Sequence, residues 1–180
     1  MGRAKAWLPF GDEFLLPRIA RIVASVVDPV VVVASPGQEL PPLSAGIEIV
    51  RDEFEGRGPL AGLAAGLAAL AGRAGAIYLS SCDAPFLNPE FICAVLDNLG
   101  SHDIAVPRIG GYPHPLAGVY RLSVRPVVER MLAEHRLRLR DLLDEVPTRF
   151  LGAETFADSD SLINVNTPDE YEAALRTHLR

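Results

Sequence analysis

Four consecutive valines constrain this chain more than any other stretch. In "DPVVVVAS", residues 28–35, β-branched side chains follow one another with no polar residue to mark an outward face. A helix would lose side-chain freedom at each of them, and a strand with one wet face would alternate. The run therefore predicts a strand buried on both faces, the habit of parallel sheets in α/β domains.

The flanking sequence agrees. "FLLPRIARIVASVV" has apolar residues at roughly helical spacing, with Arg18 and Arg21 on another face. "SPGQELPPL" is a loop, "IEIVRD" an alternating strand ending on an acid, and "EGRG" a further loop. "PLAGLAAGLAALAG" predicts a small-residue helix with Pro59 in its first turn. "AIYLSSCDAP" is a strand that ends at Asp83 and is stopped by Pro85. "NPEFICAVLDNLG" is a helix with Asn88 as N-cap and Gly100 just past its end.

Two more strands, "DIAVPRI" and "LAGVYR", flank the turn-rich "GGYPHP". The helix "VRPVVERMLAEH", a short helix in "RLRLRDLLDEV" and a last strand in "TRFLGAE" follow. "SLINVNTPDEYEAALRTHL" reads as a short strand or loop, then a helix capped by Thr167 with Pro168 at its first position. Strands alternate with helices almost throughout, which predicts one three-layer α/β domain with a mostly parallel sheet.

Composition excludes several function classes. A net charge of −6 argues against a general nucleic-acid or anionic-membrane binder. No apolar stretch reaches the length of a membrane span, because Asp28-Pro29 cuts the best candidate, "VASVVDPVVVVAS". The two cysteines, Cys82 and Cys93, lack the spacing of a disulfide or zinc framework, which suggests a reducing compartment. No signal peptide is visible, and Ala6 breaks a myristoylation pattern at Met1-Gly2, so the expected location is the cytoplasm.

A parallel sheet binds ligands beyond the carboxyl ends of its strands. Ser35, Asp52, Asp83 and the loop carrying His114 fall there. Asp83 can hold Mg²⁺, which binds through one or two carboxylates plus substrate phosphates, or it can cap a turn before Pro85. Lys5 is either a point charge for phosphates or a solvated terminal cation. Asp52 is either a hydrogen-bond acceptor for a base or sugar or a plain loop acid.

In "GRGPLAG", Gly58 and Gly62 would let backbone approach a ligand, or simply let a helix pack closely on the sheet. His114, pinned between two prolines, is a structural hydrogen-bonder or a site residue. Arg136, Arg138 and Arg140 form a solvated face or line an anion pocket. Cys82 reads better as packing than as a nucleophile, since it follows a buried-looking strand with no partner histidine in view.

Five stretches, "MGRAKAWLPFG", "RDEFEGRGPLAGLAAGL", "LSSCDAPFL", "GYPHPLAGVY" and "NVNTPDEYEAA", occur in an order and spacing that resembles the molybdenum cofactor guanylyltransferases. The resemblance covers essentially the whole chain and implies a single MobA-like nucleotidyltransferase domain over residues 1–180. The implied fold is Rossmann-like, of the nucleotide-diphospho-sugar transferase (glycosyltransferase-A) type. The implied activity is Mg²⁺-dependent transfer of GMP from GTP to the phosphate of molybdopterin. The partners implied are GTP, molybdopterin and proteins of the molybdoenzyme or cofactor-biosynthesis machinery, with no nucleic acid and no membrane.

By the same resemblance Lys5 matches the lysine that contacts nucleotide phosphates, and Asp83 the acid that binds Mg²⁺ and nucleotide. Asp52 matches a guanine-nucleotide contact, and Ser35 falls where some members place an asparagine that contacts nucleotide. His114, Asn164 and Asn166 match motif positions on the substrate side of the cleft. Family members carry an apolar strand and a glycine-rich loop before the M-G-x-x-K stretch, which here begins at Met1. The expectation is an upstream start codon. Alternatives are a cytidylyltransferase or sugar-phosphate nucleotidyltransferase of the same superfamily, or a non-catalytic binding module.

Overall fold

The computed structural model describes residues 4–52 and 58–178. The start of the basic N-terminal stretch (1–3), most of the "EGRG" loop (55–57) and the last two residues lie outside the described residues. A 3-10 turn at Lys5–Trp7 leads into a two-stranded hairpin, β1 (Pro9–Phe10) and β2 (Glu13–Phe14), and then α1 (Leu15–Ala24). The order continues through β3 (Val31–Ala34), β4 (Glu48–Arg51), α2 (Gly58–Ala69), β5 (Ala76–Ser80) and α3 (Pro89–Asp97). The remainder is β6 (Ile104–Ile109), β7 (Tyr112–Pro113), β8 (Ala117–Arg121), α4 (Arg125–Ala133), α5 (Leu142–Glu145), β9 (Thr148–Leu151) and α6 (Pro168–His178). Among the described residues no helix is long and apolar enough to cross a membrane.

The fold is the expected α/β architecture with a mostly parallel sheet. β5, β8, β6 and β9 lie side by side; β8 is antiparallel to both β5 and β6, while β9 is parallel to β6. β5, β6 and β9 therefore point one way and β8 the other. β3 and β4 form a separate parallel pair. They start at the same end as β5, because Arg73, three residues before β5, donates to the Glu48 carboxylate at the start of β4.

Strand alternation sends side chains to two cores. Ile104, Val106 and Tyr120 face α2, α4 and α5, while Ala105 and Val119 face α1 and α3. At Gly118 on β8 a Cβ would stand 2.5 Å from Val106 Cγ1, so the close approach of β8 to β6 requires glycine. The β6–β7 turn uses Gly110 and Gly111, both at positive φ, as a two-residue hairpin of this kind demands.

The valine run is a strand, but Val31–Val33 are only half-buried and Ile49 on β4 is exposed. Among the described residues β3 pairs only with β4 and β5 only with β8. Between β3 and β5 lies an apolar slot of about 330 Å³, roofed by α1 and α2 and walled by Val30–Val33 on one side and Ala76–Ser80 on the other. The expected burial on both sides is only partly met, and among the described residues β4 is the one ladder partner of β3.

Candidate active site

The site forms at the carboxyl end of β5, where the chain turns out of the sheet through Ser81, Cys82 and Asp83. Lys5 reaches it from the opposite end of the sequence. Its ammonium donates to Asp83 Oδ2 and to Asn166 Oδ1, each at 2.6 Å. The pair is partly sheltered, with side-chain exposure of 32% for Lys5 and 14% for Asp83. Asp83 Oδ1 is buried and accepts no hydrogen bond among the described residues.

Two local structures hold this arrangement. A third apolar cluster of Leu8, Phe10, Leu15, Val165 and Ala174 pins the N-terminal segment to α6 and to the chain before it. The Tyr171 hydroxyl adds a bond to the Pro9 carbonyl. Val165 N–H donates to the Asp83 carbonyl at 2.9 Å, which sets Asn166 beside the carboxylate. The entry to α6 is a capping box: Glu170 N–H donates to Thr167 Oγ1, and the Glu170 carboxylate accepts from the Asn166 and Thr167 amides. Those two amide bonds hold the Glu170 carboxyl below the usual range.

Other site residues expected from the sequence divide into two further groups. His114 and Asn164 line a cavity of about 220 Å³ next to Asp83, with Ser80, Ser81 and Tyr78. Burial holds the His114 imidazole below its ordinary pKa and so favours the neutral ring. Asn164 and Asn166, matched alike in sequence, thus take different places: one in the cavity wall, one on the Lys5–Asp83 pair. Ser35 and Asp52 sit together just past the ends of β3 and β4, where Asp52 N–H donates to the Ala34 carbonyl and Arg51 donates to the Ser35 carbonyl. They lie at a different pair of strand ends from the Asp83 group.

Burial and the neighbouring Asp83 charge push the Cys82 thiol upward, which opposes a nucleophilic role. The Arg136 guanidinium is taken up by Glu134 and Glu145, so it does not line an anion pocket; Arg138 and Arg140 are exposed. Two contributors went unread in the sequence. Glu170 could have been found from the Thr167-x-x-Glu170 spacing. The Tyr78 hydroxyl, buried and without a partner among the described residues, its pKa raised by burial, had no signal, because an aromatic in a strand reads as packing.

The donor set fits a hard divalent cation. Among the described residues Asp83 brings one carboxylate oxygen with no partner and one paired with Lys5, and Asn166 adds an amide oxygen.

Three comparisons bear on the chain. Residues 1–149 match the model for the MobA-like NTP transferase domain. A probable molybdenum cofactor guanylyltransferase of Mycobacterium avium is 36% identical over 179 residues, covering 96% of this chain and 87% of that protein. Among solved structures, molybdopterin-guanine dinucleotide biosynthesis protein A of Archaeoglobus fulgidus superposes with a TM-score of 0.78 at 20% identity, covering 98% of this chain and 91% of that one. The Rv0371C structure from Mycobacterium tuberculosis, solved with manganese, has a TM-score of 0.67 at 20% identity and covers 97% and 93%.

Proposed function

The chain belongs to the MobA-like NTP transferase family, and from that premise we propose that it transfers GMP from GTP to the phosphate of molybdopterin, with Mg²⁺. One observation carries the reading: a lysine from the start of the chain and an acid just past the end of β5 meet at 2.6 Å on the rim where α/β folds bind ligands.

Nucleotidyl transfer asks for positioning and for stabilisation of charge on phosphate oxygens, and it needs no side-chain nucleophile. Asp83, with Asn166 beside it, would hold the divalent cation. When bound, the cation supplies Lewis acidity and charge neutralisation to phosphate oxygens. Lys5 donates to the phosphates from the other side. His114 and Asn164 orient the acceptor in the cavity beside Asp83, and Ser35 and Asp52 receive the nucleotide at the ends of β3 and β4.

The test is formation of the dinucleotide from molybdopterin with GTP or CTP in the presence of Mg²⁺, comparing the wild type with Asp83→Ala. GTP-dependent product that falls on the order of 10²–10³-fold in the variant is the expected result. Equal turnover in the variant removes Asp83 from the chemistry, and a preference for CTP replaces guanylyl by cytidylyl transfer.

A further inference from the structure

Lys5 stands where a cation would. Its ammonium lies 2.6 Å from Asp83 Oδ2 and 2.6 Å from Asn166 Oδ1, between two hard oxygen donors that converge on one point. A divalent cation bound to the same oxygens would need a position about 2.0–2.6 Å from each. Two cations cannot share that space, and their charges repel.

We propose that Lys5 is a placeholder cation: it keeps a divalent metal off Asp83 in the ligand-free protein and leaves only when a polyphosphate offers it other acceptors, so that metal and nucleotide load together. The inference rests on the reading of Asp83 as the metal carboxylate, and it adds an order of binding to that reading.

The acceptors are fixed and the ammonium is the part that can move. Asp83 is tied through its carbonyl to Val165 N–H, and Asn166 is tied through its amide to Glu170. Lys5 hangs on a flexible four-carbon stem, is about a third exposed, and projects from a three-residue 3-10 turn. The Asp83 carboxylate is also incompletely used by the lysine, since Oδ1 is buried without a partner among the described residues. An ion pair that leaves one buried oxygen unmet is a resting arrangement that a doubly charged ligand can improve. The Lys5 charge also acts on the Glu170 carboxylate, whose two backbone bonds hold it in place.

Mn²⁺ is the probe, with free ion measured by electron paramagnetic resonance in the absence of nucleotide. Lys5→Met should bind Mn²⁺ on the order of ten-fold or more tightly than the wild type, the scale on which a neighbouring opposite charge biases a carboxylate. Asp83→Asn in the Lys5→Met background should lose that gain. In equilibrium dialysis the wild type should retain Mn²⁺ only with GTP present, and Lys5→Met should retain it without. Lys5→Gln serves the same comparison should the methionine variant fail to fold. Equal or weaker Mn²⁺ binding by the variants, with Asp83→Asn still abolishing it, overturns the placeholder and leaves the metal reading standing. Mn²⁺ binding that ignores Asp83→Asn overturns both.

Discussion

The two halves of the sheet differ in how their strands end sideways. In the β5–β8–β6–β9 half, Ile104, Ala105, Val106, Val119 and Tyr120 are fully buried, and β6 has a partner on each side. In the β3–β4 half, the valines of β3 are half-buried although that strand is as apolar as any core strand, and β4, with Glu48 and Arg51 at its ends, is mostly exposed. For β3, composition is therefore not what separates the halves. Lateral partners are: a β-branched run is buried when strands flank it, and among the described residues β3 pairs only with β4.

The largest expected contrast is in hydrogen exchange. Amides of Ala105 and Val106 should exchange only on global unfolding, a barrier of roughly 5–15 kcal/mol, while the amides of Val31–Ala34 not bonded to β4 should exchange through local opening near zero cost. Equal protection of the β3 and β6 amides would break the comparison.

Stability should follow the same division. Ile104→Ala should cost about 2–5 kcal/mol in urea denaturation, and Ile49→Ala less than about 0.5 kcal/mol. Equal costs would mean that β4 is buried in solution. At the site, Thr167→Ala should lower stability by about 0.5–2 kcal/mol through loss of a helix cap, and it should loosen Asn166. Weakened Mn²⁺ binding in that variant would link the α6 cap to the metal position.

The smallest effect is a pH dependence at His114. Its folded pKa lies below the unfolded value of 6.5 because of burial. The unfolded chain therefore binds the proton first, and stability rises with pH across the window between the folded value and 6.5. The contribution is fully present above pH 6.5 and is lost as pH falls through the folded pKa. His114→Asn should flatten the stability–pH curve in that window.

Much of the fold was legible because it rests on local patterns. The Asn88 cap, with its Oδ1 accepting from Phe91 N–H, and the Thr167–Pro168 entry to α6 follow from side chains that satisfy nearby amides. Asp83 could be placed at a strand end because Pro85 stops the strand. What could not be read was which matched residues meet. Lys5 and Asp83 are 78 positions apart, and Lys5 and Asn166 are 161 apart. Nothing in their neighbours' periodicity distinguishes Asn166, on the ion pair, from Asn164, in the cavity wall.

Local sequence sufficed for the longer strands and helices, the caps, and the acids and loops at the carboxyl rim, because each depends on contacts within a few residues; it gave no sign of the short strands β1, β2 and β7. The tertiary structure alone decided that β3 and β5 leave a slot between them, that the asparagines part ways, and that the Lys5 ammonium rests on Asp83 and Asn166. Those outcomes depend on packing between distant segments, through the apolar cluster that joins the chain's start to α6 and through the single backbone bond from Val165 to Asp83. Local pattern carries no information about such distances.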